Sequence, residues 1–371
     1  MHGKVLLSLV LSLAWFSVLD SETPWAANSQ HPVSSSICQS PEFPRWTYDH
    51  SNLFPKDQPL ARPEDGRALP DGRLIVADQR HGLLLIEKDE SHRPFGNLKK
   101  AGYVHNPPDF PGAPNGVFLE HDARHVLMVD IFTGKIFRVN THTEETRLIY
   151  DHPYGVNSIY RDHAGTIWFT QSTNNPEERG EEDLWAAANL SIPTGAIFKL
   201  PGSGDAFAAK ADEVVSNLYL ANGIMADNSE QFLYVSESMM DRVLRFRLDV
   251  QSGTLSDGET YQLVPIPDNL AIDADNNLWI VSFFANQISV VDHQCRSVHT
   301  IFRPKSKKRD AALDEWIKRS HLGQPRLDVL KGNKGNPLPI SLTGLFFSPN
   351  HDAVYFTGLG NAILKFTMPT D

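Results

Sequence analysis

The sequence predicts an all-β fold, a six-bladed β-propeller with four-stranded blades and short helical insertions. First, a unit made of an apolar residue, a short polar turn and an apolar strand recurs six times along the 371 residues. Second, Asp, Asn and Gly fill the turns, while Val, Ile, Tyr, Phe and Trp fill the strands. Third, another apolar strand follows each unit, and such repeated antiparallel units are typical of propeller blades.

Each unit contains the turn and the second strand of the inner hairpin of one predicted blade. They cover residues 69–78, 120–130, 161–171, 226–237, 273–283 and 348–358. The third strands that follow cover residues 82–88, 134–140, 195–200, 241–249, 286–292 and 361–367. A fourth strand is expected in each connector, which would complete a four-stranded blade.

Two insertions make the repeats longer than usual. The units average about 55 residues, whereas a propeller repeat takes about 40–50. The excess lies in residues 174–193 and 303–339, and both stretches have partly helical patterns. In the second, Leu313, Trp316 and Ile317 share one helical face. This helix either covers the edge of a blade or forms a lid over the channel mouth.

The N-terminus predicts a secreted protein. Lys4 precedes a mostly apolar run over residues 5–19, which resembles a signal peptide and is short for a membrane span. We therefore expect a signal peptide over residues 1–21, an N-terminal arm over 22–60 and the propeller over 61–371. An uncleaved anchor is the alternative. No later segment is long and apolar enough to cross a bilayer, so no membrane span is expected after removal of the signal.

Secretion has consequences for three residues. In an oxidising compartment Cys38 and Cys295 are expected to form a disulfide that ties the arm to a late element, with two free thiols as the alternative. Asn189 begins an Asn-Leu-Ser sequon and is an expected glycosylation site. The net charge of −11 argues against nucleic acid as a partner and is compatible with cation binding.

One oxygen-bearing residue lies five to seven positions before each turn, at the start of each predicted innermost strand. In chain order these ring residues are Glu64, Asn115, Asn157, Asn222, Asp268 and Thr343. Innermost strands run along the central channel of a propeller, so equivalent positions form a ring at one mouth. Packing alone would favour apolar side chains there, and six oxygen donors instead predict a polar site.

The composition of this ring suits a hard divalent cation. Ca²⁺ takes six to eight oxygen ligands in irregular geometry, whereas Zn²⁺ prefers His and Cys. Without a metal, the Glu64 and Asp268 carboxylates would repel each other, and one would tend to hold a proton. The sequence therefore predicts a Ca²⁺ site, with either a catalytic or a purely structural role.

Four segments carry a family resemblance over about residues 62–292. They are Pro63-Glu64 before LPDGRLIVAD, Asn157-Ser158 before GTIWFTQST, Ala221-Asn222-Gly223-Ile224 before FLYVSE, and Pro267-Asp268-Asn269-Leu270 before LWIV. In this order they resemble segments of the strictosidine synthase-like, paraoxonase and gluconolactonase superfamily. The resemblance implies a six-bladed propeller with a Ca²⁺ at the channel mouth, and hydrolysis of lactones, aryl esters or organophosphates.

The resemblance also implies roles for individual residues. It places the metal on Glu64, Asn157, Asn222 and Asp268, with Asn269 as a further ligand, and it implies a disulfide that ties the terminus down. Pro114-Asn115-Gly116 stands where paraoxonases carry a His, so a paraoxonase-type His dyad is not expected. No late Glu clearly matches the catalytic Glu of strictosidine synthases.

These features predict a secreted Ca²⁺-dependent hydrolase of lactones or esters that acts on a small molecule. Asp268 is the candidate base or nucleophile, and Asn115 and Thr343 are candidate substrate-binding residues. His121, His125 and His163 lie in or beside turns, which favours surface positions over catalysis. Two alternatives stay open: a biosynthetic propeller enzyme that condenses or cyclises a natural product, and a non-enzymatic binding propeller.

Overall fold

A computed structural model describes residues 38–201, 207–208, 210–331 and 335–369. The chain divides into two units, residues 1–38 and 39–371, and the fold below concerns the second. The predicted signal peptide over residues 1–21 lies outside the described residues. Cys38 and Cys295 are both disulfide-bonded, as predicted.

Six four-stranded antiparallel sheets form the blades, which confirms the predicted propeller. Blade 1 consists of β2 (Gly66–Ala68), β3 (Leu74–Asp78), β4 (Gly82–Ile86) and β5 (His92–Pro94). Blade 2 consists of β8 (Pro114–Leu119), β9 (His125–Asp130), β10 (Lys135–Asn140) and β11 (Thr146–Asp151). Blade 3 consists of β12 (Val156–Arg161), β13 (Ile167–Gln171), β14 (Gly195–Leu200) and β15 (Asp212–Leu218). Blade 4 consists of β16 (Ala221–Ala226), β17 (Phe232–Glu237), β18 (Arg242–Asp249) and β19 (Thr254–Leu263).

The last two blades complete the circle. Blade 5 consists of β20 (Pro267–Ile272), β21 (Leu278–Ser282), β22 (Gln287–Val291) and β23 (Val298–Phe302), and blade 6 of β24 (Ser341–Phe347), β25 (Ala353–Leu359), β26 (Ile363–Thr367) and β1 (Leu53–Phe54). The innermost strands β2, β8, β12, β16, β20 and β24 contact one another in a closed cycle around the channel. A short hairpin, β6 (His105–Asn106) and β7 (Phe110–Pro111), separates blades 1 and 2.

Blade 6 is closed by the N-terminal part of the chain. β1 pairs antiparallel with β26, with Leu53 opposite Leu364 and Phe54 opposite Ile363. The arm predicted over residues 22–60 therefore supplies the outermost strand of the last blade. Closure of this kind holds the first and last parts of the propeller together by backbone hydrogen bonds.

The second strand of each blade is buried on both faces because adjacent blades cover it. All five residues of β3 and of β21 are buried, as are the last five of β9. Strands covered on both faces read as continuous apolar runs rather than as alternating patterns. This explains the LIVAD, HVLMVD and LWIVS runs from which the repeats were recognised.

The polar turns before these strands are fixed by an Asp side chain. Asp162 accepts hydrogen bonds from the backbone N–H of Thr166 (2.8 Å) and from Trp168 Nε1 (2.8 Å). In blade 5, Asp273 accepts from the backbone N–H of Asn277 and from Trp279 Nε1, both at 2.8 Å. The carboxylate thus closes the turn and satisfies a buried indole, which is why Asp precedes these strands.

Three α-helices occupy the two predicted insertions. α1 (Gly180–Asn189) lies in the first, and α2 (Lys307–His321) and α3 (Leu327–Lys331) lie in the second. Three short 3₁₀ turns accompany them, at His50–Asn52, Glu177–Arg179 and Ser238–Met240. Over the described residues, none of the helices combines the length and the apolar character that a membrane span requires.

An ion-pair hub between blades 2 and 3 gives a stability prediction. Buried Glu120 accepts from Arg138 Nε (2.7 Å) and Arg161 Nη1 (2.8 Å), and both guanidinium groups are mostly buried. Glu120→Ala removes the carboxylate that both mostly buried cations share, so we expect a loss of about 3–5 kcal/mol in the free energy of unfolding. Urea denaturation measures it. Glu145→Ala removes an exposed partner of Arg147 and should cost less than about 1 kcal/mol; equal costs would contradict the prediction.

Candidate metal and catalytic site at the channel mouth

A β-bulge marks the position of the ring residue in each of blades 2 to 6. The register between the innermost and second strands shifts between Pro114 and Val117, Val156 and Ile159, Ala221 and Ile224, Pro267 and Leu270, and Leu342 and Gly344. Each shift inserts one extra residue beside the ring position. A bulge redirects a side chain out of the alternation of its strand, and bulges are common next to active sites.

In blades 2 and 4 the residue after the ring position is glycine because neighbouring innermost strands approach closely there. A Cβ on Gly223 would lie 2.6 Å from the carbonyl oxygen of Asp268. A Cβ on Gly116 would lie 2.8 Å from the Cα of Ser158. The Asn-Gly pairs of blades 2 and 4 are therefore packing requirements of the converging strands rather than turn signals.

The structure brings all six ring residues to one cavity. The cavity has a volume of about 100 Å³ and lies at the end of the channel where the innermost strands begin, which we call the upper mouth. Glu64, Asn115, Asn157, Asn222, Asp268 and Thr343 all line it. All six are buried, with exposed fractions of 7% or less. The predicted polar ring is thus present.

Two buried carboxylates lie in this cavity. Burial raises the pKa of Glu64 to about 7, against the opposing effect of the Arg62 guanidinium. Burial, and then the charge of Glu64, raise the pKa of Asp268 well above its ordinary value. A hydrogen bond from the Asn222 amide to Asp268 opposes this shift. The pair would therefore hold a proton near neutral pH unless a cation compensates the charges.

Arg62 is a cavity residue that the sequence did not reveal. Its Nη1 donates to the carbonyl oxygen of Pro114 and its Nη2 to Asn115 Oδ1, both at 2.8 Å. Its backbone has a φ of 54°, in the left-handed region. These contacts fix a guanidinium at the edge of the cavity, where its charge favours the ionised forms of Glu64 and Asp268. A lone Arg before the first repeat carries no pattern by which it could have been recognised.

The predicted amide ligands are positioned by their neighbours. Asn157 Nδ2 donates to Ser172 Oγ (2.9 Å), and Asn157 Oδ1 accepts from Asn115 Nδ2 (3.2 Å). Asn269 Nδ2 donates to the Glu64 carboxylate, 3.2 Å from Oε2. Asn115 is thereby engaged on both sides, by Arg62 and by Asn157, so its amide orients other site groups.

Thr343 anchors the backbone of the site. Its hydroxyl donates to the carbonyl oxygen of Glu64 at 2.7 Å, and Thr357 Oγ1 donates to the same oxygen at 2.8 Å. Both bonds connect blade 6 with the residue that opens blade 1. Substrate binding by Asn115 and Thr343 stays a prediction. In the structure, the polar atoms of both side chains form hydrogen bonds with other residues of the protein.

Two buried oxygen atoms in the site lack a hydrogen-bond donor. They are Oδ1 of Asn222 and Oδ1 of Asn269, each fully buried and without a partner among the described residues. A buried, unpaired oxygen is costly, which indicates a missing partner. Together with the Glu64 and Asp268 carboxylates and Asn157 Oδ1, these atoms form an all-oxygen donor set that fits Ca²⁺.

The cavity has an apolar roof. Trp185 of α1, Trp316 of α2 and Leu330 of α3 line it, together with apolar side chains from the loops between blades. Trp316 is fully buried, against Phe284 with ring centroids 5.6 Å apart and beneath the guanidinium of Arg326, 4.8 Å from the ring. The helical insertions therefore cover the channel mouth, as expected for a lid.

Removal of the roof's central ring should be costly. For Trp316→Ala we expect a loss of about 3–5 kcal/mol in the free energy of unfolding, because the cavity left behind cannot be refilled by the short helices. Urea denaturation followed by tryptophan fluorescence and circular dichroism measures it. Leu322→Ala, which truncates a residue exposed at the end of the same helix, is the control and should change stability by less than about 0.5 kcal/mol. Similar losses in both variants would contradict a central role for Trp316.

A comparison with protein families identifies part of the chain. The family model of the SMP-30/Gluconolactonase/LRE-like region matches residues 150–309. This segment, which is less than half of the chain, is thus similar to the SMP-30/Gluconolactonase/LRE-like region. This region spans blades 3 to 5 and includes Asn157, Asn222, Asp268 and Asn269, whereas Glu64 lies before it.

Curated relatives align with part of their length. Lactonase drp35 of Staphylococcus epidermidis is 22% identical over 219 residues, which cover 48% of this chain and 66% of that protein. Lactonase drp35 of Staphylococcus haemolyticus is 23% identical over 229 residues, which cover 51% and 69%. An uncharacterised protein of Sulfolobus acidocaldarius is 24% identical over 141 residues, which cover 37% and 44%. The alignments thus leave a third or more of most of these relatives unmatched.

Solved structures share the fold over most of their length. A gluconolactonase from Xanthomonas campestris has a TM-score of 0.58 at 15% identity, covering 90% of this chain and 99% of its own. A calcium-binding protein, regucalcin, from Agrobacterium tumefaciens has a TM-score of 0.56 at 13% identity, covering 88% and 95%. At these identities the similarity shows the propeller fold alone.

Proposed function

We propose that the protein is a secreted, Ca²⁺-dependent hydrolase of lactones or esters. The observation that carries the proposal is the convergence of two buried carboxylates and the unpaired amide oxygen of Asn222 in one cavity under an apolar roof. The SMP-30/gluconolactonase/LRE-like region and the lactonases among the relatives support this class of reaction. The signal-like N-terminus supports secretion.

Glu64, Asn157, Asn222 and Asp268 would hold the metal, with Asn269 beside them. When bound, Ca²⁺ would polarise the substrate carbonyl and stabilise the developing oxyanion. Glu64 serves as a pure ligand, because Asn269 donates to its carboxylate and Thr343 fixes its backbone. Asp268 lines the cavity, and the Asn222 amide donates to its carboxylate. In this position the carboxylate can accept a proton from an attacking water or attack directly.

The roof favours an enzyme over an open binding surface. Helices α1, α2 and α3 bring apolar side chains over the oxygen-lined floor. A small molecule with a carbonyl group and an apolar body matches these two surfaces, because the floor can hold the carbonyl while the roof excludes water. An open, uncovered mouth would have favoured a protein-binding propeller.

Hydrolysis of a panel of lactones and aryl esters tests the proposal. The metal-stripped protein is assayed alone, with added Ca²⁺ and with Ca²⁺ plus excess chelator. We expect turnover that requires Ca²⁺ and disappears with the chelator. Absence of turnover on every substrate, while Ca²⁺ still raises the melting temperature, would overturn the hydrolase and leave a structural metal site.

A further inference from the structure

A second cluster of ligating side chains lies at the opposite end of the channel. The turns that follow the innermost strands of blades 2, 3 and 4 carry His121, His163 and Glu230, with the two histidines at equivalent turn positions and Glu230 two positions later in its own turn. These turns line a pocket of about 400 Å³ together with the ends of the innermost strands, which we call the lower mouth. One potential ligand atom from each of the three residues lies within 4.8 Å of the others.

The spacing of these atoms suits a tetrahedral transition metal. His163 Nδ1 lies 2.9 Å from Glu230 Oε1, and His121 Nε2 lies 3.5 Å from the same oxygen. A zinc ion with bonds of about 2.0–2.1 Å separates its ligand atoms by about 3.3 Å, which falls between these values. The two imidazole rings are stacked, with centroids 3.7 Å apart and an interplanar angle of 14°. Because the lone pair of an imidazole nitrogen lies in the plane of its ring, one of these two exposed rings must rotate out of the stack for both to bind the same ion.

Glu230 is held in place by its neighbours. Its carboxylate accepts a hydrogen bond from the Tyr160 hydroxyl, and the backbone N–H of His163 donates to both carboxylate oxygens, at 3.0 and 3.1 Å. Hydrogen bonds to a ligating carboxylate orient it and strengthen metal binding. Among the residues that the structure describes, its ion-pair partners are the two histidines.

A neighbouring group shows what a purely structural cluster looks like. Glu120, Asp122 and His125 also lie close together. Glu120, however, is already compensated by the guanidinium groups of Arg138 and Arg161. A metal there would have to displace two cations. Glu230, which is buried and paired only with titratable imidazoles, provides a negative charge that a divalent metal can neutralise.

We infer that His121, His163 and Glu230 bind Zn²⁺ at the lower mouth and thereby connect blades 2, 3 and 4. Two imidazoles and one carboxylate form a three-ligand set with a fourth position open, and this donor set discriminates against Ca²⁺. Without metal, Nε2–H of His121 donates to the carbonyl oxygen of Arg161 at 2.8 Å. Zn²⁺ would bind Nε2 of the other neutral tautomer, in which Nδ1 carries the proton. This ring can therefore bind the metal without releasing a proton.

Isothermal titration with Zn²⁺ tests the inference on the full chain without a polyhistidine tag. The protein is stripped of metal and then saturated with Ca²⁺, so that the upper mouth does not compete. We expect one Zn²⁺ per chain, and a rise in melting temperature on binding. His163→Ala should lower the affinity for Zn²⁺ at least about tenfold, because even the loss of a residue that only hydrogen-bonds a metal ligand lowers metal affinity by about that factor. The His163 side chain is 64% exposed, so this variant should fold normally.

Two control variants separate this cluster from other histidines. His351 occupies the corresponding turn of blade 6 and lines the same pocket, but it lies outside the cluster. His351→Ala and His125→Ala should bind Zn²⁺ as the unmodified chain does. Absence of Zn²⁺ binding in the unmodified chain, or equal binding by His163→Ala and His351→Ala, would overturn the inference.

Discussion

Asp268→Asn should abolish hydrolysis of any lactone or ester that the protein turns over. We expect kcat/KM to fall by about 10²–10⁴-fold at saturating Ca²⁺, because a positioned general base contributes rate enhancement of that order. The substituted amide keeps the size of the side chain but cannot accept a proton or carry a charge. Steady-state kinetics over a range of Ca²⁺ concentrations measures the effect.

The Ca²⁺ dependence separates two roles of Asp268. If the carboxylate acts on the substrate or the water, activity stays low however much Ca²⁺ is added. Glu64→Gln, by contrast, should mainly weaken Ca²⁺ binding, and added metal should restore part of its activity. Asp275→Asn makes the same isosteric change at an exposed position of blade 5 and should leave kcat/KM unchanged. Full activity of Asp268→Asn would exclude this residue from the chemistry.

Removal of Ca²⁺ should destabilise the protein, and increasingly so as the pH rises from 5 to 8. In the metal-free protein the pKa of Glu64 is about 7, above its unfolded value of about 4.3. Stability that comes from the protonated form is complete below the unfolded pKa and is lost as the pH rises through the folded pKa. Above pH 7 the two carboxylates are therefore a liability that Ca²⁺ relieves.

Melting temperatures of metal-stripped and Ca²⁺-loaded protein at several pH values test this. Ca²⁺ at 100 times its dissociation constant adds about 2.7 kcal/mol. For a domain the size of residues 39–371, that corresponds to roughly 4 °C in melting temperature. Glu64→Gln should flatten the pH dependence of the metal-free protein. A metal-free protein that gains stability between pH 5 and 8 would contradict the expected sign.

The propeller could be predicted from the sequence because its repeats are local. Each turn uses an Asp or Asn that closes a hairpin, and each second strand is apolar throughout because blades cover both of its faces. The ring residues could then be aligned relative to the turns, which brought Glu64 and Asp268 together although their residue numbers differ by 204. Trp316 could be placed on an apolar helical face for the same local reason.

Other features depend on contacts that no local pattern encodes. β1 has two residues, too few for a strand pattern, and it is defined only by pairing with β26, which lies more than 300 residues later in the sequence. Arg62 enters the cavity because its left-handed backbone and the Pro114 carbonyl aim it there. The lower-mouth histidines were expected at the surface, as they are, but their stacking follows from the relative placement of two blades.

The bulges of blades 2 to 6 also make the upper mouth adjustable one position at a time. Each bulged side chain is carried by its own blade, while the hydrogen-bond ladder and apolar packing of that blade lie elsewhere along its strands. Amino-acid exchange at these positions alters the chemistry of the mouth without entering the hydrophobic cores. A small combinatorial library of the ring codons would therefore sample new ligand sets on an unchanged scaffold, which makes this propeller a suitable starting point for directed evolution.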